Sequence, residues 1–313
     1  MFSRRFLRIK VVKSLYWHFK SESDSIPVSE KNLIHSIDKA YDLYFQMLTL
    51  ITDVRRYAED RIEIARNKKL PTHEDLHPNL RFMENMVVEQ LETSESLNNY
   101  LRKGSLGWNR YPELIKHLYD KMVASDYYGV YMNIPAVNYR DDARLVKDFY
   151  TETVQDDEMV ETVLEEQSIL WSDDLDFILI MVLKTLDNFR EHQKELPLLK
   201  EYKSDDDKEF ALELFRLTVM RFRENQEYIE RFTHNWDMER VAFLDNIIMN
   251  AAMTELTAFD SIPVKVTMDE YIEISKYYST PSSSLFINGI LDKMVESLRG
   301  EGRINKTGRG LLE

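Results

Sequence analysis

Apolar residues in this chain return every three or four positions over long stretches, and little interrupts them: eight glycines and eight prolines serve 313 residues. That period is one face of an α-helix. With so few turn formers, the chain is held to a nearly all-α fold. Leu7, Val11, Leu15 and Phe19 form one such stripe, and Ile287, Ile290, Leu291, Met294 and Leu298 form another near the C-terminus. The second stripe competes with Asn288-Gly289 set between apolar residues, a strong hairpin signal. A helix explains more of the residues, because Ser282, Ser283 and Ser284 can cap its start. Gly289 then sits inside that helix at a cost of about 1 kcal/mol relative to alanine. Either a base or backbone passes close to it, or a neighbouring helix packs on it. With the stripe turned inward, a turn of ~100° per residue puts Phe286, Gly289 and Lys293 side by side on an outward face. An aromatic that can stack, a gap and a cation that can meet phosphate are thereby aligned.

Breaks divide the remainder. The first helix ends at SESDSIPVSE (21–30), where Ser29 is expected to cap an amphipathic stretch from 30 to about 68. Pro71 and Pro78 interrupt the next region, GSLGWNRYPE (104–113) reads as a loop, and Tyr127 to Tyr139 reads as strand-like. Helices are expected again from 142 to 194 and, after ELPLLKEYKSDDD, from 207 to about 259. IPVKV (262–266) reads as extended, followed by a capping box at Thr267 to Glu270 and a helix to Lys276. A paired-helix pattern with a Trp and a Thr (Trp171 and Thr185, then Trp236 and Thr254) suggests either an internal repeat or chance similarity of amphipathic helices.

The absence of cysteine excludes disulfides, thiolate metal sites and thiol catalysis, and fits the cytoplasm. The apolar run at 177–183 is far short of the ~20 residues that span a bilayer, and Arg8, Lys10 and Lys13 break up any secretion signal. His73, Glu74 and His77 stand in H-E-x-x-H order, but Pro71 and Pro78 confine the segment to about one turn, so a zinc site is not expected. No phosphate-loop, dinucleotide or nucleophile-elbow pattern occurs; neither an enzyme nor a cofactor is expected. The formal net charge of −14 is unevenly spread. Residues 1–13 hold five bases and no acid, whereas 141–176 holds thirteen acids against Arg144 and Lys147. Such polarity orients a nucleic-acid partner, although an acidic run is also simply a solvated helix face. Arg4, Arg5, Arg8, Lys10 and Lys13 point in different directions around a helix, so its first turns are expected to project or fray and to order on phosphate. The bland reading is a soluble terminus.

RRFLRIKVVKSLY (4–16), NWDMERVAFLDNIIMNAAMTEL (235–256) and IPVKVTMDEYIEISKYYSTPSSSLFINGILDKM (262–294) resemble the NusB family of bacterial transcription antitermination proteins. The pattern runs through Pro263, Val266, Glu270, Ile272, Ile274, Ser275 and Lys276, then Phe286 to Lys293. The resemblance implies an all-α, NusB-like bundle made of residues 1–19 and 205–313, with 20–204 inserted, a longer form similar to those of the Bacteroidetes. It also implies partners: single-stranded boxA-like RNA of ribosomal-RNA leaders, the ribosomal protein NusE, and the RNA polymerase antitermination complex. The RNA contacts implied are Arg4, Arg5, Arg8, Lys10, Tyr16, Ser283, Ser284, Phe286, Asn288, Gly289 and Lys293. Phe6 and Ser282 depart from the family, which often has a base and an acid there. Two other readings compete. RNA cytosine methyltransferases carry a NusB-like domain, but they need cysteines and a Rossmann domain, which this chain lacks; a NusB-like protein-interaction scaffold without RNA binding needs neither.

Overall fold

The computed structural model describes residues 2–21, 25–193, 195–233 and 242–311. The regular structure of these residues is all helix, with no strand among them. In chain order the helices are α1 (Arg4–Lys20), α2 (Ile26–Leu48), α3 (Leu50–Arg66), α4 (His73–Leu76), α5 (Met86–Thr93), α6 (Glu95–Gly104), α7 (Pro112–Val123) and α8 (Asp126–Met132). They continue with α9 (Tyr139–Asp148), a π-turn (Phe149–Val154), α10 (Glu158–Gln167), a 3-10 turn (Ile169–Trp171), α11 (Leu175–Asp187), α12 (Asp205–Glu230), α13 (Phe243–Ala258), α14 (Val264–Tyr278) and α15 (Ser283–Gly300). The chain divides into two compact units: a terminal unit of Phe2–Ile37 with Tyr202–Glu313, and a central unit of Asp38–Glu201.

In the terminal unit α13 is the innermost helix. Ile247, Ile248, Met249, Ala251, Ala252, Met253 and Leu256 are all fully buried. A helix apolar on every face must be surrounded, and α13 packs against α1, α12, α14 and α15. Its polar residues are paired: Thr254 accepts from Asn225 of α12 at 2.9 Å, which removes the penalty of burying both. The segment after α15 folds back on the end of α13. There the Lys306 ammonium donates to the carbonyls of Glu255 and Phe259 at 3.4 and 2.9 Å, and the Thr307 N–H donates to the Asp260 carbonyl. These carbonyls also accept the N–H groups of Phe259 and Ile262, and a cation at a helix C-terminus is favoured by the helix dipole.

The central unit holds 20 Lys and Arg against 32 Asp and Glu, a formal −12, which leaves −2 for the rest of the chain. Its core gathers Tyr44, Trp108, Phe149 and Tyr150. The Tyr150 hydroxyl donates to the Met47 carbonyl at 2.7 Å.

Several expectations are corrected. Tyr127 to Tyr139 opens as helix α8, because the Ser125 hydroxyl accepts from the Tyr128 N–H and caps it, which outweighs the β preference of the aromatic run. The stretch from 30 to 68 is two helices broken at Thr49. Ser29 is no cap: it lies buried inside α2, its hydroxyl 2.7 Å from His18 Nδ1. IPVKV is extended only up to Pro263. α14 opens at Val264, and Thr267 is a buried interior residue whose hydroxyl goes to Glu255. His73 and His77 do not share a helical turn of useful length; α4 has four residues, opened by the Thr72–Asp75 capping box and ended at His77. Trp236, on which half of the repeat rests, lies outside the described residues.

Candidate nucleic-acid interface

The basic first helix is folded in, not frayed. Arg8 is 2% exposed and donates two hydrogen bonds to the Glu255 carboxylate of α13, at 2.8 and 2.7 Å. Glu255 is fully buried and also accepts from the hydroxyls of Thr267 at 2.8 Å and Tyr271 at 3.2 Å. Burial works against the charge on Arg8, but the hydrogen bonds and charge of Glu255 outweigh it and hold the guanidinium pKa above its ordinary value. Burial first, and then the Glu255 charge, push the Tyr271 hydroxyl well up. Such a pair is tolerable in a core only because nearly every lone pair is used. Arg4 donates to Asp207 of α12 at 3.0 Å, and Arg5 grips Glu270 of α14 with two hydrogen bonds at 2.7 and 3.1 Å. Lys10 is buried, its ammonium 5.2 Å from the centre of the Phe6 ring. The expectation that these turns project therefore fails. Their acidic partners lie 203 to 265 residues away, beyond the reach of a local reading.

What α1 does present is a mixed cationic and aromatic face. Lys13 lies over the Tyr278 ring at 4.8 Å, Lys20 over Phe243 at 4.7 Å, and Tyr16 meets Phe243 edge-on at 5.5 Å. Tyr16 and Trp17 are 39% and 48% exposed, and Tyr277 of α14 is 79% exposed. Of these, Tyr16 was among the implied RNA contacts and Lys13 among the bases expected to order on phosphate. The signal for the others was present: residues 13, 16, 17 and 20 share a helical face by their three- and four-residue spacing.

α15 forms as expected, and its start is fixed by a polar knot. Asp245 at the head of α13 accepts from the hydroxyls of Ser279 and Ser283, the latter at 2.6 Å, and Ser283 Oγ in turn accepts from the Thr280 N–H. Ser283 is thus buried and committed to the fold, while Ser284 is half-buried. Along the outer face Phe286 is half-buried, whereas Gly289 and Lys293 are exposed. The Asn288 amide donates to Asp292 at 3.3 Å. Among the described residues a methyl group built on Gly289 meets nothing within 4 Å, so none of the described helices packs there. Packing within the terminal unit, as far as its described residues show, does not account for the glycine.

The terminal unit is an all-α bundle whose first and last long helices, α1 and α15, carry cations and aromatic side chains. Residues 176–296 match the family described as NusB, and through this part the chain is a member of the NusB family. The match begins within α11, in the central unit. The chain is 46% identical over 105 residues to the transcription antitermination protein NusB of Salinibacter ruber, covering 34% of this chain and 66% of that protein. It is 35% identical over 106 residues to the same-named protein of Chloroherpeton thalassium, covering 34% and 50%. The chain thus spans about half to two thirds of the length of these relatives. A solved structure of T. maritima NusB is 28% identical and covers 44% of this chain and 84% of that one, with a TM-score of 0.29.

Proposed function

We propose that this chain is a transcription antitermination factor whose terminal unit binds single-stranded boxA-type RNA of ribosomal-RNA leaders together with NusE, inside the polymerase antitermination complex in the cytoplasm. The central unit is an insertion into that NusB-like bundle. One observation carries the reading: Gly289 lies exposed in mid-helix between Phe286 and Lys293 with open space where its side chain would be. A flat base can pass there, stack on Phe286 and place its phosphate at Lys293. The name shared by the relatives supports it.

The test is fluorescence anisotropy on a boxA-like strand over a salt series, with and without NusE. Substituting Arg4, Arg5 and Lys293 by Gln should lower the salt slope by roughly 0.7 for each phosphate that these side chains no longer neutralise. Arg8 is left intact, because its loss would strand Glu255 in the core. A specific observation favours the second reading, a protein-interaction scaffold: Arg4, Arg5 and Arg8 already have acidic partners within the fold. On that reading NusE binds and RNA does not, with or without it.

A further inference from the structure

In the central unit two buried tryptophans are pinned to one stripe of α2. The indole N–H of Trp171 donates to the Lys39 carbonyl at 2.7 Å, and that of Trp108 to the Gln46 carbonyl at 3.0 Å, two helical turns further on. Between them opens a cleft of about 970 Å³, walled by α2, the end of α6 with the loop after it, and the end of α10. Trp108 also fixes that loop, in which Ser105 (φ 51°) and Gly107 (φ 155°) hold left-handed backbone. The walls are therefore set before anything enters.

The chemistry of the lining is opposite to that of the unit around it. In a unit of formal charge −12, this cleft is lined by Lys39, Arg102 and Arg110 against the single carboxylate of Glu166. Lys39 reaches Asp42 and Arg102 reaches Asn99, but Arg110 has no hydrogen bond or ion pair among the described residues. The cleft is also lined by an amide pair, in which buried Gln46 donates to Gln167 Oε1 at 2.7 Å. The Nε2 of Gln167 is a buried donor with no acceptor. Such donors are rare in folded proteins and call for a partner. A cavity of this size suits a small molecule rather than a bare ion.

We propose that this cleft binds a small organic polyanion, bearing phosphate or carboxylate groups gripped by Arg110 and Arg102, with an acceptor group toward Gln167. Isothermal titration of the full-length chain with pyrophosphate and, in a second arm, with citrate tests it and tells the two anion chemistries apart. Binding by either probe, weakened about a hundredfold or more by Arg102→Gln with Arg110→Gln, is the expected result, since each charge-assisted bond removed is worth roughly tenfold in Kd or more. Glu166→Gln should tighten binding about threefold by removing a like charge. Arg144→Gln, at a residue outside the lining, should change nothing. The proposal fails if neither probe binds, if the double variant binds as the parent does, or if Arg144→Gln weakens binding as much. It fails too if a single-stranded RNA binds this cleft in place of the small anions.

Discussion

Gly289→Ala separates two quantities that usually fall together. Alanine is favoured over glycine in a helix interior by about 0.8 to 1.0 kcal/mol. Nothing in the structure subtracts from that, because the new methyl group meets no atom within 4 Å and position 289 lies well inside α15. Nothing adds to it either, since the site is exposed and little apolar area is buried. The terminal unit should melt roughly 2 to 4 °C higher. RNA affinity should move the other way. If the methyl group keeps a base off Phe286, the loss is that of one stacked base, about 1 to 3 kcal/mol, or roughly 5- to 150-fold in Kd. Differential scanning calorimetry and anisotropy on the same preparation read both. A lower melting temperature would mean that something packs on Gly289 after all. A raised melting temperature with unchanged affinity for the boxA-like strand would remove the reason given for the glycine.

Glu255→Gln should destabilise the terminal unit by about 3 to 5 kcal/mol by leaving Arg8 buried without its counter-charge, read as a drop in the urea midpoint. Gly310→Ala should loosen the C-terminal segment, because its Cβ would lie 2.0 Å from the Asp260 carbonyl oxygen; faster amide exchange at Thr307 is the measure. Burial pushes the hydroxyls of Tyr127 and Tyr139 up to about 12. Their unfolded forms ionise first, so the stability they hold is complete below pH 10 and is lost as the pH rises towards 12. Denaturant midpoints taken across that window should fall, and Tyr127→Phe with Tyr139→Phe should flatten the fall. RNA crosslinking should avoid residues 141–176, with their thirteen acids; strong crosslinks there would overturn the orientation proposed for the RNA.

The elements that a local pattern specifies could be read from the chain. α15 followed from the stripe Ile287, Ile290, Leu291, Met294 and Leu298, all buried as expected. Where a local signal was outvoted, the reading failed. Thr267 with Glu270 has the letters of a capping box, but its hydroxyl is drawn to Glu255, twelve residues back on another helix. The break at Thr49 leaves the apolar period almost undisturbed and so could not be seen. The candidate interface was legible in part: the outward stripe of Phe286, Gly289 and Lys293 is there. The burial of Arg8 was not legible, because it depends on a carboxylate 247 residues away. Ser283 looked like one of three equivalent serines, and only Asp245 distinguishes it.

That separation of 247 residues is also an interval of time. A ribosome adding about 5 to 20 residues per second takes roughly 12 to 50 s to travel from Arg8 to Glu255. Helix–coil relaxation takes about a microsecond or less. α1 thus has ample time to form and dissolve repeatedly before its core partner has been made, while all of Asp38–Glu201 is synthesised in between. The partners of Arg4, Arg5 and Arg8, which are Asp207, Glu270 and Glu255, are all made after that interval has begun, so the arginine-rich helix becomes a core element only once the C-terminal part of the chain exists.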